Sequence, residues 1–360
     1  MAIKSAITEK MKKSIGTKLF QDFPAEEVSI WAIRRFIEAT TDENPLWQDE
    51  KYAKKTCWRG IIAPPALLHV FDPANRAFRQ LPDLSHMATT LPFEPPFPRT
   101  FQAFYEFQFF VPMRPGDSIT STSKIGDVYE REGRSGRMVF IRMDNEHRNQ
   151  KRELVGITSE AMVSLEGSSS PSRSTESATP PPEELKPPIS TGKQICFEDI
   201  EIGTPLPKLK KSISLVTILK WGAAVNDYGP HHYDQQFAHQ MLGMPNVIAH
   251  GPHTAAFLAQ LVTNWIGGEG FLKRHYTELR GNVFPGDTLT FQGKVTRKYR
   301  DSGDNLVECE SWAENQNGRK VALGKSVFTL PLRNRAKQGC ALNHYGEQLG
   351  KELDVQDQAD

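Results

Sequence analysis

Cysteine is scarce and scattered. Only Cys57, Cys196, Cys309 and Cys340 occur in 360 residues, and no two of them form a CxxC pair. That spacing argues against a disulfide framework or a cysteine-ligated zinc site and fits a reduced intracellular setting. An excess of either charge is equally absent: 44 Lys plus Arg meet 43 Asp plus Glu, with no basic stripe along the chain. A nucleic-acid-binding face is therefore not expected, while a local pocket for a phosphorylated ligand stays open. No apolar run reaches the length of a membrane span, and no apolar signal core follows Met1. The stretch from Met1 to Lys18 is lysine-rich with one acid, Glu9, and no arginine, so a plain N-terminal helix is expected rather than a targeting segment. The expected compartment is the cytoplasm, with an organelle matrix as the alternative.

What the chain does contain is a repeat. Ile15-Gly16-Thr17 returns as Ile202-Gly203-Thr204, Asp42-Glu43-Asn44-Pro45 as Asp227-Tyr228-Gly229-Pro230, and Ile62-Ala63-Pro64-Pro65 as Ile248-Ala249-His250-Gly251. These offsets are 187, 185 and 186 residues. Arg114-Pro115-Gly116-Asp117-Ser118 returns as Phe284-Pro285-Gly286-Asp287-Thr288 at an offset of 170, so the first copy holds about sixteen extra residues before it. They fall within 71–100, where Leu91-Pro92-Phe93-Glu94-Pro95-Pro96-Phe97-Pro98 is too rich in proline for a regular helix or central strand. An irregular, aromatic-lined flap is expected there. The division is a first half at 1–164, a Pro/Ser-rich linker at 165–193, a second half at 194–332 and a polar tail at 333–360.

Each copy carries helical spacing, seen in Val28, Trp31, Ile33, Phe36 and Ile37, and again in Phe257, Leu258, Leu261, Val262 and Trp265 after Gly251. Strand-like runs follow at Phe104 to Val111, Ser118 to Ile125, Arg137 to Asp144 and Glu153 to Ser164. The second copy matches with Thr288 to Val295, Asn305 to Ala313 and Arg319 to Leu330. One long helix per copy followed by antiparallel strands implies an α+β layer plan, a sheet wrapped around a helix, with two such sheets able to pair edge to edge. The Pro-Gly-Asp segments read as turn chemistry at strand entries. Trp58, Trp221 and Trp265 read as core.

The chemistry concentrates in the second copy. Asp227 and His232 lie five residues apart in a loop stiffened by Pro230, and Gly251 immediately precedes an apolar helical run. An acid, an imidazole and a backbone N–H at a helix start are the parts needed to add water beside a carbonyl or to remove it. The blander alternatives are Asp227 as a helix cap, His232 as a loop histidine and Gly251 as plain helix entry. His231, His232, His239, His250 and His253 raise a metal reading, but no carboxylate stands at a usual ligand spacing, and no metal site is assigned.

These landmarks resemble the MaoC-like hydratase/dehydratase family. The resemblance rests on Ile33 to Thr40, Asp42-x-Asn44-Pro45 and Gly60 to Pro65 in the first copy. In the second it rests on Asp227-x-Gly229-Pro230-x-His232, Ala249-His250-Gly251 and Pro285-Gly286-Asp287. The first half is similar to the N-terminal half of double hot-dog dehydratases, and the second to the catalytic half of (R)-specific enoyl-thioester hydratases. The resemblance implies a double hot-dog fold and reversible hydration of a trans-2-enoyl thioester to a (3R)-3-hydroxyacyl thioester. Asp227 and His232 would hold the water, the Gly251 N–H would serve the thioester oxygen, and no cofactor would be needed. Tyr228, Gly229, Pro230, His250 and Trp47 are expected to touch substrate. The expected partner is an acyl-CoA or acyl carrier protein thioester, and a homo-oligomer is compatible. Two departures stand out: Trp47 and Pro65 replace the histidine and glycine in the first copy, and Gly229 replaces the usual asparagine in the second. Tryptophan is no base and proline has no N–H, so the first half is expected to be catalytically silent. The rival readings are a hot-dog thioesterase and a non-catalytic acyl-thioester-binding subunit.

Overall fold

The strand-forming runs that follow each Pro-Gly-Asp turn pair into one antiparallel sheet. The computed structural model describes residues 5–20, 22–78, 91–133, 136–167 and 194–334. The first half runs α1 (Glu9–Lys13), β1 (Glu26–Glu27), α2 (Ile30–Thr40), α3 (Glu50–Ala53) and α4 (Pro73–Phe78). It continues with β2 (Arg99–Phe109), β3 (Ser118–Gly133), β4 (Gly136–Arg148) and β5 (Leu154–Leu165). The second half runs β6 (Pro205–Ser212), α5 (Leu215–Val225), α6 (Gln235–Leu242), α7 (Gly251–Ile266) and β7 (Phe271–Leu279). It closes with β8 (Thr288–Asp301), β9 (Asp304–Glu314) and β10 (Lys320–Thr329). The strand order is β1-β3-β4-β5-β2-β7-β10-β9-β8-β6. This is the α+β double hot-dog arrangement, with the two half-sheets fused where β2 pairs with β7, from Phe104 opposite Glu278 to Gln108 opposite Arg274. The fusion buries two edges that would otherwise offer unpaired backbone groups.

The duplication extends to individual hydrogen bonds. Asp117 Oδ2 accepts from the Arg114 N–H at 2.7 Å, and Asp287 Oδ2 from the Phe284 N–H at 2.8 Å. Gly116 and Gly286 both take positive φ, 88° and 98°, which a side chain would strain. Their N–H groups donate to Val28 and Ile213 carbonyls, tying each turn to the segment ahead of α2 or α5. Thr41 and Asn226 end α2 and α5 in the left-handed region, so both chains turn sharply into the Asp42 and Asp227 loops.

The halves differ in what fills their concave faces. In the second, α7 is buried from Pro252 to Thr263, a sixteen-residue helix that the sheet wraps. In the first, Pro64 and Pro65 open a 3-10 stretch (Pro65–Phe71), and Pro73 starts the short α4. The helix expected over Val28 to Ile37 is present as α2, but among the described residues a long central helix wrapped by the sheet occurs only in the second half. The space it leaves holds a polar network around buried Asp72. This carboxylate accepts from Asn145 at 3.2 Å and from Thr158, and it faces His69 Nδ1 at 2.5 Å and His147 Nε2 at 3.1 Å. Burial alone would raise Asp72, but His69 and His147 outweigh it and hold the carboxyl well below the usual carboxylate range.

The expected flap at 71–100 is only partly described, since 79–90 lie outside the described residues. On its near side stands α4, a helix the proline content had argued against. On its far side Phe93 is buried, with Leu91 and Phe97 packed beside it, against Met11, Ile125, Val128, Val139 and Ile141. That portion is a cover on the first half-sheet. Residues 168–193 of the linker and 335–360 of the tail also lie outside the described residues.

Trp221 on α5 is fully buried where both halves meet, 5.4 Å from Phe36 on α2 and stacked 4.5 Å from His253 on α7. Removing it leaves a void that neither half can collapse alone. Trp221→Ala is expected to cost about 3–5 kcal/mol, read as a lowered urea midpoint at unchanged slope.

Candidate active site

The loop after α5 is shaped by local hydrogen bonding. The Asp227 N–H returns to the Gly222 carbonyl at 3.0 Å, and Asp227 Oδ1 accepts from the Gly229 N–H at 3.1 Å. Pro230 then opens a one-turn 3-10 segment (Pro230–His232), and Asp234 caps α6 through the Phe237 N–H at 3.0 Å. His232 is fixed from behind: its Nδ1 donates to the Ile248 carbonyl at 2.7 Å. A carbonyl can only accept, so Nδ1 carries the proton and Nε2 presents a lone pair.

That lone pair faces Asp227. His232 Nε2 and Asp227 Oδ2 are 4.0 Å apart, too far for a direct hydrogen bond and suited to a water touching both. Burial and the neighbouring His250 pull His232 down to about 4, so the ring is neutral near neutral pH. Burial works to raise Asp227, but the imidazoles of His250 and His232 and the Gly229 N–H prevail and hold it below its ordinary value. The pair thus rests as a carboxylate beside a neutral imidazole.

Gly251 begins α7, with His250 at the cap position making no side-chain cap bond. Its N–H therefore belongs to the unsatisfied first turn, at the positive end of the helix dipole. A Cβ at Gly251 would lie 2.6 Å from Leu279 Cδ1 and 3.1 Å from Tyr105 Cε2, so glycine leaves the approach to this N–H open. Asp227, His232 and Gly251 are brought together through His250, which stacks on His232 at 3.5 Å and donates from Nε2 to the Asp227 carbonyl at 3.1 Å.

The first half explains the Gly229 departure. There Asn44 survives, and its side chain caps the 3-10 turn through the Leu46 N–H at 3.0 Å, while its own N–H reaches Asp42 Oδ1 at 3.0 Å. The second contact is reproduced by Gly229; the cap is not. A Cβ at Gly229 would sit 2.7 Å from His231 Cε1 and 3.2 Å from His232 Cδ2. The paired histidines take the space an asparagine side chain would need. Tyr228 is half exposed on the same loop.

The indole N–H of Trp47, a residue expected to touch substrate, donates to Asp42 Oδ2 at 3.1 Å, and its ring lines a cleft apart from the Asp227 loop. That cleft is walled by Leu46, Trp47, Ile62, Pro65, Phe109 and Phe271 among others, and none of its residues belongs to the Asp227 loop. Beside it, Asp42 is buried, and burial raises its pKa against the pull of Lys211. The Lys211 ammonium, from β6 of the other half, is itself buried and donates to the Thr40 and Thr41 carbonyls at 2.6 and 3.1 Å.

Sequence reading missed the wall opposite Asp227. Tyr105 on β2 and Glu160 on β5 stand directly across from each other on the inward face. Glu160 is pushed up to about 7 by burial and by Asp72, with Asp227 adding to it. Alternation within Phe104 to Val111 marks Tyr105 as inward, but only long-range register identifies what it meets.

A single ten-stranded sheet with one long buried helix and a polar loop at that helix's start defines the double hot-dog class. Solved structures agree on the fold. A MaoC-like dehydratase covers 89% of this chain and 99% of its own at 17% identity, TM-score 0.68. A conserved hypothetical protein from Mycobacterium tuberculosis, described as having a double hotdog fold, covers 86% and 96% at 13% identity, TM-score 0.59. Residues 14–158 match the model for the FAS1-like dehydratase domain region and residues 200–314 the MaoC like domain. The first part of the chain is thus similar to a FAS1-like dehydratase region and the second to a MaoC like domain. Fatty acid synthase subunit beta of Gibberella zeae is 28% identical over 149 residues, 41% of this chain and 7% of that protein. A UPF0336 protein of Thermobifida fusca is 29% identical over 104 residues, 28% of this chain and 62% of its own. The match thus spans less than two thirds of either relative.

Asp227, His232 and His250 also offer ligand atoms within 4.8 Å of one another, a grouping large enough for a metal ion. The donor set does not suit one. His250 Nε2, 3.8 Å from Asp227 Oδ2, carries its proton toward the Asp227 carbonyl, so the His250 nitrogen nearest the carboxylate has no lone pair to offer and the grouping falls short of the three or four ligands zinc takes. His253, the other half of the His250-x-x-His253 spacing, bonds the Ala39 carbonyl at 3.1 Å. Adding Zn²⁺ is expected to leave the melting temperature unchanged, since an ion that bound only the folded state would raise it.

Proposed function

We propose that the chain hydrates a trans-2-enoyl thioester, with CoA as the expected carrier, to a (3R)-3-hydroxyacyl thioester, or runs the reverse dehydration. The observation that carries this reading is the 4.0 Å gap between Asp227 Oδ2 and His232 Nε2, with the Gly251 N–H at the start of α7 nearby. Two acceptors in their resting states hold one water by its two protons. During hydration the water oxygen bonds to C3 and releases one proton to the pair. The π electrons move through C2 onto the thioester oxygen, where the Gly251 N–H and the helix dipole stabilise the growing charge. The proton held by the pair then closes the C2–H bond, and the site returns to its starting state. Dehydration follows the same steps backwards.

Each part has a support in the fold. The Ile248 carbonyl fixes the His232 tautomer, the Gly229 N–H orients the Asp227 carboxylate, and His250 holds the loop against the helix start. The FAS1-like and MaoC-like matches support an acyl-thioester dehydratase or hydratase, and the site chemistry adds the roles of Asp227, His232 and Gly251.

The test is turnover of a panel of trans-2-enoyl-CoAs, followed by loss of enoyl absorbance. Asp227→Asn is expected to lose about 10²–10⁴ in kcat. Release of free CoA without loss of the double bond would instead indicate a thioesterase, and acyl-CoA binding without turnover a binding subunit. The pH profile is a second check. His232 works only while neutral, and its pKa lies near 4. Activity should therefore persist through mildly acidic pH and fall as pH approaches about 4. An acid limb at the ordinary imidazole value would contradict a buried, neutral His232.

A further inference from the structure

Tyr105 belongs to the half of the chain that lacks the histidine and the glycine, yet it stands at the other half's site. The β2–β7 pairing sets it opposite Thr277, one strand over from the helix start. It is 4% exposed, and a Cβ at Gly251 would lie 3.1 Å from its Cε2 and 3.5 Å from its hydroxyl oxygen. The ring is held from behind by His69, edge-on at 5.9 Å, which is itself anchored by Asp72 and by the Asn75 side chain on its carbonyl at 2.8 Å. The hydroxyl, in contrast, makes no hydrogen bond among the described residues.

Unlike the sealed, unpartnered atoms of the core, this hydroxyl keeps accessible surface and is open to a ligand, whereas phenylalanine would fill the same space without presenting a donor. Its position beside an equally unpaired backbone N–H supplies the reason. We propose that Tyr105 is a catalytic residue contributed by the first half: its hydroxyl joins the Gly251 N–H in donating to the thioester oxygen. The inference rests on the hydration reading above and adds a second donor to it. Two donors converging on one oxygen from a helix start and from a strand would polarise the carbonyl and hold the enolate-like charge as it grows. The phenol stays a donor throughout the working pH range, because burial, Glu160 and Asp227 all push it well above its ordinary pKa. The half that has lost its own acid-base pair thus completes the site of its neighbour.

The experiment compares the full chain with Tyr105→Phe on the best substrate of the enoyl-CoA panel and on trans-cinnamoyl-CoA as a bound chromophore. Loss of one such donor is expected to lower kcat about a hundredfold while KM changes little. Binding to the parent should shift the cinnamoyl absorbance to longer wavelength as the carbonyl is polarised, and the shift should shrink in the variant. That spectral signal reports only on protein that has folded and bound the ligand, and a purely structural tyrosine would not alter it. A variant that turns over within twofold of the parent, with the same spectral shift, overturns the inference alone. A parent with no turnover on any enoyl-CoA overturns the hydration reading and the inference with it.

Discussion

Five consecutive residue pairs between β2 and β7, Phe104 to Gln108 against Glu278 to Arg274, decide what the rest of the molecule can do. They join two half-sheets into one and fix the register in which the first half faces the second. A slip of one residue would turn Tyr105 and Phe107 outward and send their neighbours in, since strand side chains alternate faces. The start of α7 would then face a different wall. The candidate site residues lie in the loop after α5 and at the start of α7, but their enclosure depends on backbone pairing made elsewhere.

One plan written twice has produced two unlike interiors. Where the second half keeps a continuous helix, the first has Pro64-Pro65 and a broken path through the 3-10 stretch and α4. Shortening a helix in a hot-dog half exposes a concave sheet face that has to be filled. Here it is filled by a hydrogen-bonded network of His69, Asp72, Asn145, His147 and Thr158 in place of apolar side chains. Such a network tolerates burial only because nearly every donor in it meets an acceptor. It also backs the aromatic ring that reaches the site.

Much of this was legible in the sequence. The constant offset of the repeat announced two halves, and the Pro-Gly-Asp turns fell where paired hydrogen bonds now explain them. Strand-like runs marked β2, β3, β4, β5, β8, β9 and β10, and helical spacing marked α2 and α7. Three strands escaped for identifiable reasons, β1 because it is only the pair Glu26–Glu27. β7 buries polar His275 and Thr277 on its inward face, so no apolar alternation advertises it. β6 is an edge strand with Pro205, Pro207 and three lysines, a composition that protects an edge and disguises a strand. At the candidate site, Asp227, His232 and Gly251 were readable because they lie in short motifs. Tyr105, Glu160 and His69 were not, because their relation to the loop exists only after strands far apart in sequence have paired.

The buried Lys211 of β6 gives Asp42 a different standing. By pattern, Asp42-x-Asn44-Pro45 reads as the remnant of an active site. By environment, its carboxyl is buried and accepts from the Asn44 N–H and the Trp47 indole, near a Lys211 ammonium that reaches across from the opposite half and is held by the last carbonyls of α2. A motif scan that scores acids by their neighbours in sequence would count two reaction centres here. The surroundings separate them: Asp42 meets an indole N–H where Asp227 faces an imidazole, and Lys211 ties the end of α2 to the other half as a brace.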